Sequence, residues 1–279
     1  MPVLAIEIGW DPNLARIGGL LLTWHGLFTA IGILAGVQLS LQLVKLTGYD
    51  YDDAYELALV GVPSGIVGAR LLFVAEAWDY YGSNPAEIIR ITEGGISIWG
   101  AILGGVAGAL AWGLWRGYPA ARGLDLAAFG IILGQGIGRL GDLVNGEHLA
   151  KATDLPWGVI YTHSDSPAFV HSLTVGAHHP ATTYEMIGDF VILALLFVVL
   201  FRLLWHKPGL TFCFYIVSYA VMRFLLTELR IDSSDTFLFD LKVPQLVALC
   251  VVLGALPVIW YFARQPRFEE PPPPLFQRG

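Results

Sequence analysis

GQGIGRLGDLVNGEHL, residues 134–149, decides between two folds. Gly136, Gly138 and Gly141 spell G-x-G-x-x-G, the pattern of a dinucleotide-binding turn. That turn needs a β-strand before it and a helix after it, within a βαβ unit. The residues leading in, LDLAAFGIILGQ (124–135), are instead a continuous apolar run that the glycines extend. The expectation is therefore a membrane helix in which small residues let a neighbour approach closely, with Arg139 embedded near its end.

The rest of the chain supports that choice. Of 279 residues 55% are hydrophobic and 14% charged, where a soluble domain carries about a quarter charged. The mean hydropathy is +0.62. Nine tryptophans and thirty-two glycines fit a helical membrane protein. Cys213 and Cys250 lie in apolar runs and indicate no disulfide framework. The net charge of −7 has no basic block for nucleic acid, and the N-terminus lacks the basic region of a cleaved signal peptide.

Apolar runs long enough to span a bilayer fall at about 20–44, 55–77, 96–115, 124–144, 183–205, 210–226 and 243–263. The fold class is all-α: a polytopic membrane protein of about seven transmembrane helices. Residues 1–266 form one domain, with 145–182 as an extracytoplasmic loop or cap, and the proline-rich tail 267–279 is expected to be disordered and cytoplasmic. Lys45, Arg116, Arg122, Arg202, Lys207, Arg264 and Arg267 share one side, which the positive-inside rule makes cytoplasmic, leaving the N-terminus outside.

In that topology Arg70, Arg139 and Arg223 reach a similar depth in the outer half of the membrane. A charge there is costly unless paired or hydrated, so such residues mark a site, and guanidinium groups bind phosphate through paired donors. The anions of that leaflet are phospholipid headgroups. Pairing with Asp142 or Glu76 is the structural alternative. His163, His171, His178 and His179 share a loop, but their spacing does not make a metal site. No cofactor is expected. Tyr219 precedes Arg223 by one turn, on the same face.

GRLGDLVNGEHLAKATDLPWG (138–158) resembles the signature of the prolipoprotein diacylglyceryl transferase family. GARLLFVAEAWDYY from Gly68, EGGISIWGAILGG from Glu93, HPATTYE from His179 and YAVMR from Tyr219 to Arg223 resemble further segments of that family, in the same order. The resemblance implies seven helices in a bacterial inner membrane. It also implies transfer of a diacylglyceryl group from phosphatidylglycerol to the lipobox cysteine of a prolipoprotein signal peptide, with release of glycerol 1-phosphate and an active site toward the outer leaflet. By the same resemblance Arg139 and Arg223 are the essential arginines. Arg70 is a headgroup binder, Asn145 and Glu147 orient Arg139 or the glycerol, and His179, Tyr184 and Glu185 belong to the site.

The chain departs from the family pattern at several positions. Trp99 stands where the family has histidine, His25 where it has tyrosine, and Asp142 where it has asparagine. An imidazole transferred from the third helix to the first would make His25 the base that takes the thiol proton, a hydrogen-bonded structural histidine being the alternative, and Asp142 is either a partner of Arg139 or itself a base. Two other classes stay open: an arginine-lined anion or lipid transporter, and a non-catalytic lipid-binding paralogue.

Overall fold

A computed structural model of the chain describes residues 5–17, 20–90, 95, 97–231, 236–238, 240–267 and 269. Nearly all of the tail 267–279 lies outside the described residues. Each expected apolar run forms a helix: α1 (Trp24–Thr47), α2 (Tyr51–Glu76), α4 (Ile98–Arg116), α5 (Ala120–Asn145), α7 (Ala181–Val198), α8 (Leu210–Thr227) and α9 (Val243–Arg264). Two short helices, α3 (Trp78–Tyr81) and α6 (Phe169–Val175), lie between them. α7 continues as a π-helical segment, Val199–Leu204, which accounts for the full length of the apolar run there.

Among the described residues six of these helices, α1, α2, α5, α7, α8 and α9, are long and apolar enough to cross a membrane. The chain is a multi-pass membrane protein. Large apolar side chains such as Leu34, Leu225 and Leu253 stand exposed along the helices. Water would disfavour such surfaces, whereas lipid tails match them, and a helix satisfies its backbone groups internally.

Short strands, which hydropathy does not reveal, occupy the connections. β1 (Ala5–Ile8) runs parallel to β4 (Gly158–Tyr161), β2 (Asn13–Ile17) pairs with β3 (Leu20–Thr23), and β5 (Thr236–Leu238) pairs with β6 (Leu241–Lys242). The first apolar run therefore divides: Leu20–Thr23 is extended, and the helix starts at Trp24 with the Thr23 hydroxyl accepting the Gly26 amide at 3.1 Å. That hydroxyl satisfies an amide that has no partner within the helix.

Two compact units divide the chain. One comprises residues 1–17, 21–40 and 125–279, the other 18–20 and 41–124. In the second, α2 and α4 meet through glycines: a Cβ at Gly68 would lie 2.8 Å from Gly104 Cα. In the first, α1 and α5 meet the same way. A Cβ at Gly32 would lie 2.7 Å from Gly134 O, one at Gly141 2.6 Å from His25 Cα, and one at Gly36 would overlap Gly130 O. The G-x-G-x-x-G residues lie within an unbroken helix, as the hydropathy predicts. Gly136 faces α7 and Gly141 faces α1, while a Cβ on Gly138 would touch nothing within 4 Å.

Candidate active site

In the first unit the start of α1, the end of α5, the start of α7 and the end of α8 carry one network of charged side chains. Its hub is Glu185, 1% exposed, in the first turns of α7. Glu185 Oε2 lies 2.7 Å from Arg139 Nη2, and its Oε1 receives Arg223 Nη1 and, at 3.2 Å, Arg230 Nη1. Three guanidinium groups thus converge on one carboxylate. Each guanidinium carries five donors in a fixed fork, so such a cluster holds more donors than its acids can satisfy. Among the described residues Glu185 is the one partner of the Arg223 guanidinium. The side chains of Arg139 and Arg223 are 15% and 17% exposed, open enough to meet a ligand.

Asp142, 3% exposed, joins this network to a histidine. Its Oδ2 accepts from Arg139 Nη1 at 2.8 Å and its Oδ1 lies 2.6 Å from His25 Nδ1. A carboxylate offers only acceptors. Nδ1 of a neutral His25 therefore carries the proton, and Nε2 holds the lone pair. The sequence left Asp142 either a partner of Arg139 or a base, and the structure makes it the partner of both Arg139 and His25. The His25 side chain is 44% exposed.

Past α5 the chain turns through two left-handed residues, Gly146 (φ 79°) and His148 (φ 68°). The second is uncommon for a residue with a Cβ, and such backbone strain gathers at functional sites. The turn brings His148 Nδ1 to 2.5 Å from Arg230 Nη2 and His148 Nε2 to 3.7 Å from Asp142 Oδ2. Lys242 ties down the end of α8 by donating to the carbonyls of Thr227 and Arg230. Tyr219, one turn before Arg223, lies within electrostatic reach of Arg139, Arg223 and Glu185.

The other expected residues have their described side-chain contacts outside these pairs, with Glu147 within electrostatic reach of His25. Asn145 Nδ2 reaches Glu147 Oε1 at 3.5 Å, a marginal contact, and the Asn145 carbonyl accepts from Ser166 Oγ at 2.8 Å. The two side chains thus meet each other, at the turn that closes α5. His179 Nδ1 is 3.3 Å from the Tyr184 hydroxyl, which accepts from Trp157 Nε1 at 2.8 Å, forming a separate cluster beside the network. Arg70 belongs to the second unit. Its guanidinium donates to three carbonyls, Ile88, Gly95 and Glu87, at 2.8, 2.7 and 2.6 Å, and so anchors the chain after α3. Trp99 also lies in that unit, on α4, and its side chain is outside the described residues.

The loop 145–182 folds against β1. Tyr161, buried on β4, donates its hydroxyl to Leu143 O at 2.7 Å, and burial pushes that hydroxyl well above the usual phenol range. His178, 2% exposed, packs against Tyr161 and His171. Burial holds its imidazole below the ordinary histidine value, and the two neighbouring histidines add to the effect.

Sequence reasoning placed Arg139, Arg223, Glu185, Asp142, His25 and Tyr219 together without Arg230 or His148. Arg230 lies past the end of α8, outside the apolar runs. Its pairings, 45 residues from Glu185 and 82 from His148, leave no local trace.

Residues 12–261 match the sequence family described as prolipoprotein diacylglyceryl transferase. The chain is 36% identical over 262 residues to the phosphatidylglycerol–prolipoprotein diacylglyceryl transferase of Gloeobacter violaceus, covering 93% of this chain and 96% of that one. It is 32% identical to the enzyme of that name from Lactiplantibacillus plantarum, covering 90% and 89%, and 30% identical to that from Clostridioides difficile, covering 88% and 93%. A match across nine-tenths of the chain, with the charged network inside it, leaves one assignment: the chain belongs to the prolipoprotein diacylglyceryl transferase family.

Proposed function

We propose that the protein transfers the diacylglyceryl group of phosphatidylglycerol to the lipobox cysteine of prolipoprotein signal peptides, forming a thioether and releasing glycerol 1-phosphate. The observation that carries the mechanism is Asp142, one carboxylate joined to both a histidine and an arginine. His25 Nε2 takes the proton of the incoming thiol, and the sulfur attacks the glyceryl carbon. The carbon–oxygen bond to phosphate breaks, and the phosphate leaves with its charge held by Arg139 and Arg223. Charge that develops in a water-poor site is stabilised most by donors already in place, and Glu185 keeps those donors in place. Asp142 is a positioning residue that orients the His25 ring, as the third member of a catalytic triad does. His25 thereby supplies the imidazole that Trp99 does not. Asn145, Glu147, His179 and Tyr184 line or brace the substrate path in this reading.

The cations of the loops support an arrangement with the N-terminus outside and the C-terminus in the cytoplasm of a bacterial inner membrane. Residues 1–266 then act as one transmembrane domain in which all seven long helices cross. The charged network faces the outer leaflet, where the donor lipid and the signal peptide enter from the membrane plane.

The test supplies phosphatidylglycerol and a lipobox peptide to the purified protein in lipid nanodiscs and follows the cysteine by mass spectrometry. The expected mass gain is that of one diacylglyceryl group, and Arg139→Ala abolishes it. No gain with the parent protein overturns the reading in favour of a transporter or a lipid-binding relative.

A further inference from the structure

Asp189 is the one buried acid of this region that the proposed reaction does not use. It sits on α7, is 0% exposed, and among the described residues neither of its oxygens has a hydrogen-bond partner. Buried polar groups without partners are rare in folded proteins and call for an explanation. Asp189 follows Glu185 by four residues, so it shares the face of α7 that carries the arginine network, about 6 Å further along the axis. Arg139 and Arg223 lie within electrostatic reach of it, as do Tyr215 and Tyr219 of α8.

The order of groups along α5 gives this carboxyl group a place in the reaction. Asp142, Arg139 and Gly136 follow one another at three-residue steps, each about 4.5 Å along the helix. Asp142 faces His25, and Arg139 faces Glu185. A Cβ on Gly136 would lie 3.4 Å from Asp189 Cβ, so that step faces Asp189. A displacement at carbon puts nucleophile and leaving group on opposite sides of the reacting atom, and the site must hold both in line. With the thiol at His25 and the phosphate at Arg139 and Arg223, the rest of the leaving group points onward to Asp189. The leaving group ends in a vicinal diol, which offers two O–H donors. A carboxyl group presents acceptor oxygens in either protonation state.

On the basis of the transfer reaction proposed above, we infer that Asp189 accepts hydrogen bonds from the headgroup hydroxyls of the donor lipid and thereby selects a polyol headgroup. A site built around such a bond discriminates strongly, because the analogue lacking the hydroxyl leaves the buried acceptor unpaired.

The experiment compares two donor lipids with identical acyl chains, phosphatidylglycerol and phosphatidylpropanol, in phosphatidylcholine nanodiscs with the full-length protein and a lipobox peptide. The parent protein is expected to prefer phosphatidylglycerol by ~100-fold or more in kcat/KM, in line with hydroxyl-reading sites. Asp189→Leu brings that preference to within about threefold through loss on phosphatidylglycerol alone, and its thermal midpoint does not fall, because an unsatisfied buried group has been removed. Equal use of the two lipids by the parent protein overturns the inference. So does an Asp189→Leu protein that loses both activities in the same proportion, complete loss included. Should that variant fail to fold, Asp189→Asn, which keeps one acceptor, is expected to show an intermediate preference, and an unaltered preference overturns the inference. If the parent transfers from neither lipid, the transfer reading falls by itself. The headgroup inference is then judged by thermal stabilisation of the parent protein, expected with glycerol 1-phosphate and not with propyl phosphate; equal stabilisation by both overturns it.

Discussion

Replacing Glu185 by glutamine removes one charge from the centre of the network while keeping the shape of the side chain. Glu185 is 1% exposed, and the side chains of Arg139, Arg223 and Arg230 are 15%, 17% and 3% exposed. The lost attraction is therefore only weakly screened by solvent. Deleting one partner of a buried ion pair costs roughly 3–5 kcal/mol, mostly because the remaining charge is left uncompensated. The amide of glutamine retains one acceptor oxygen, which places Glu185→Gln near the lower end of that range. In a chain of this size each kcal/mol displaces the thermal midpoint by about 2–4 °C, so roughly 3 kcal/mol corresponds to a fall of about 6–12 °C. Differential scanning fluorimetry of parent and variant in the same nanodisc measures it, with Arg223→Gln in each background as a coupling test. The double variant is expected to lose less than the sum of the singles, since the two groups touch. A fall below about 2 °C, or strict additivity, refutes the placement of Glu185 as the hub.

His25→Phe is expected to lower kcat by ~10²–10⁴, the usual contribution of a positioned general base. It also removes the acid limb of the pH–rate profile, a change that a merely structural histidine would not produce, and unchanged turnover refutes the role. His178 gives a stability signature of the opposite sense to a salt-bridged histidine. Its folded-state pKa is held below the unfolded value by burial, so the folded state binds fewer protons. The stability that neutral His178 supports is present above about pH 6.5 and is lost as the pH falls through the folded pKa. His178→Gln flattens the decline of the thermal midpoint between neutral and acidic pH. A variant whose decline parallels that of the parent refutes the assignment.

The spans were legible because length and polarity suffice: a run of about twenty apolar residues has few alternatives to a membrane helix. Strand β3 was not, because Leu20–Thr23 is apolar and abuts α1, and periodicity over four residues cannot separate the two conformations. Arg139 and Arg223 announced themselves by the cost of a charge within a span. The same argument applies to Asp189, the second acid of the apolar run of α7 after Glu185, and it was the signal available for that residue. His148 and Arg230 had none. Their roles arise from a left-handed turn after α5 and from a contact 82 residues apart, neither of which has a periodicity to read. Arg70 was legible as a buried arginine but not as an anchor whose guanidinium donates to the backbone carbonyls of Ile88, Gly95 and Glu87.

The glycine pattern that imitates a nucleotide loop has a physical connection to the chemistry after all. A Cβ on Gly141 would lie 2.6 Å from His25 Cα, so the absence of a side chain at 141 is what allows α1 and α5 to touch at that level. Asp142, the next residue, then meets His25 at 2.6 Å. Three residues earlier on α5, Arg139 reaches both Asp142 and Glu185, and three earlier again Gly136 leaves room for Asp189 and Phe190. Small residues in membrane helices are usually explained by close packing alone. On α5 the close approach also fixes the distance between the His25 imidazole and the Asp142 carboxylate. Hydrogen bonds of this kind tolerate errors of only a few tenths of an ångström. Helix packing and the His25–Asp142 contact therefore constrain the same glycine.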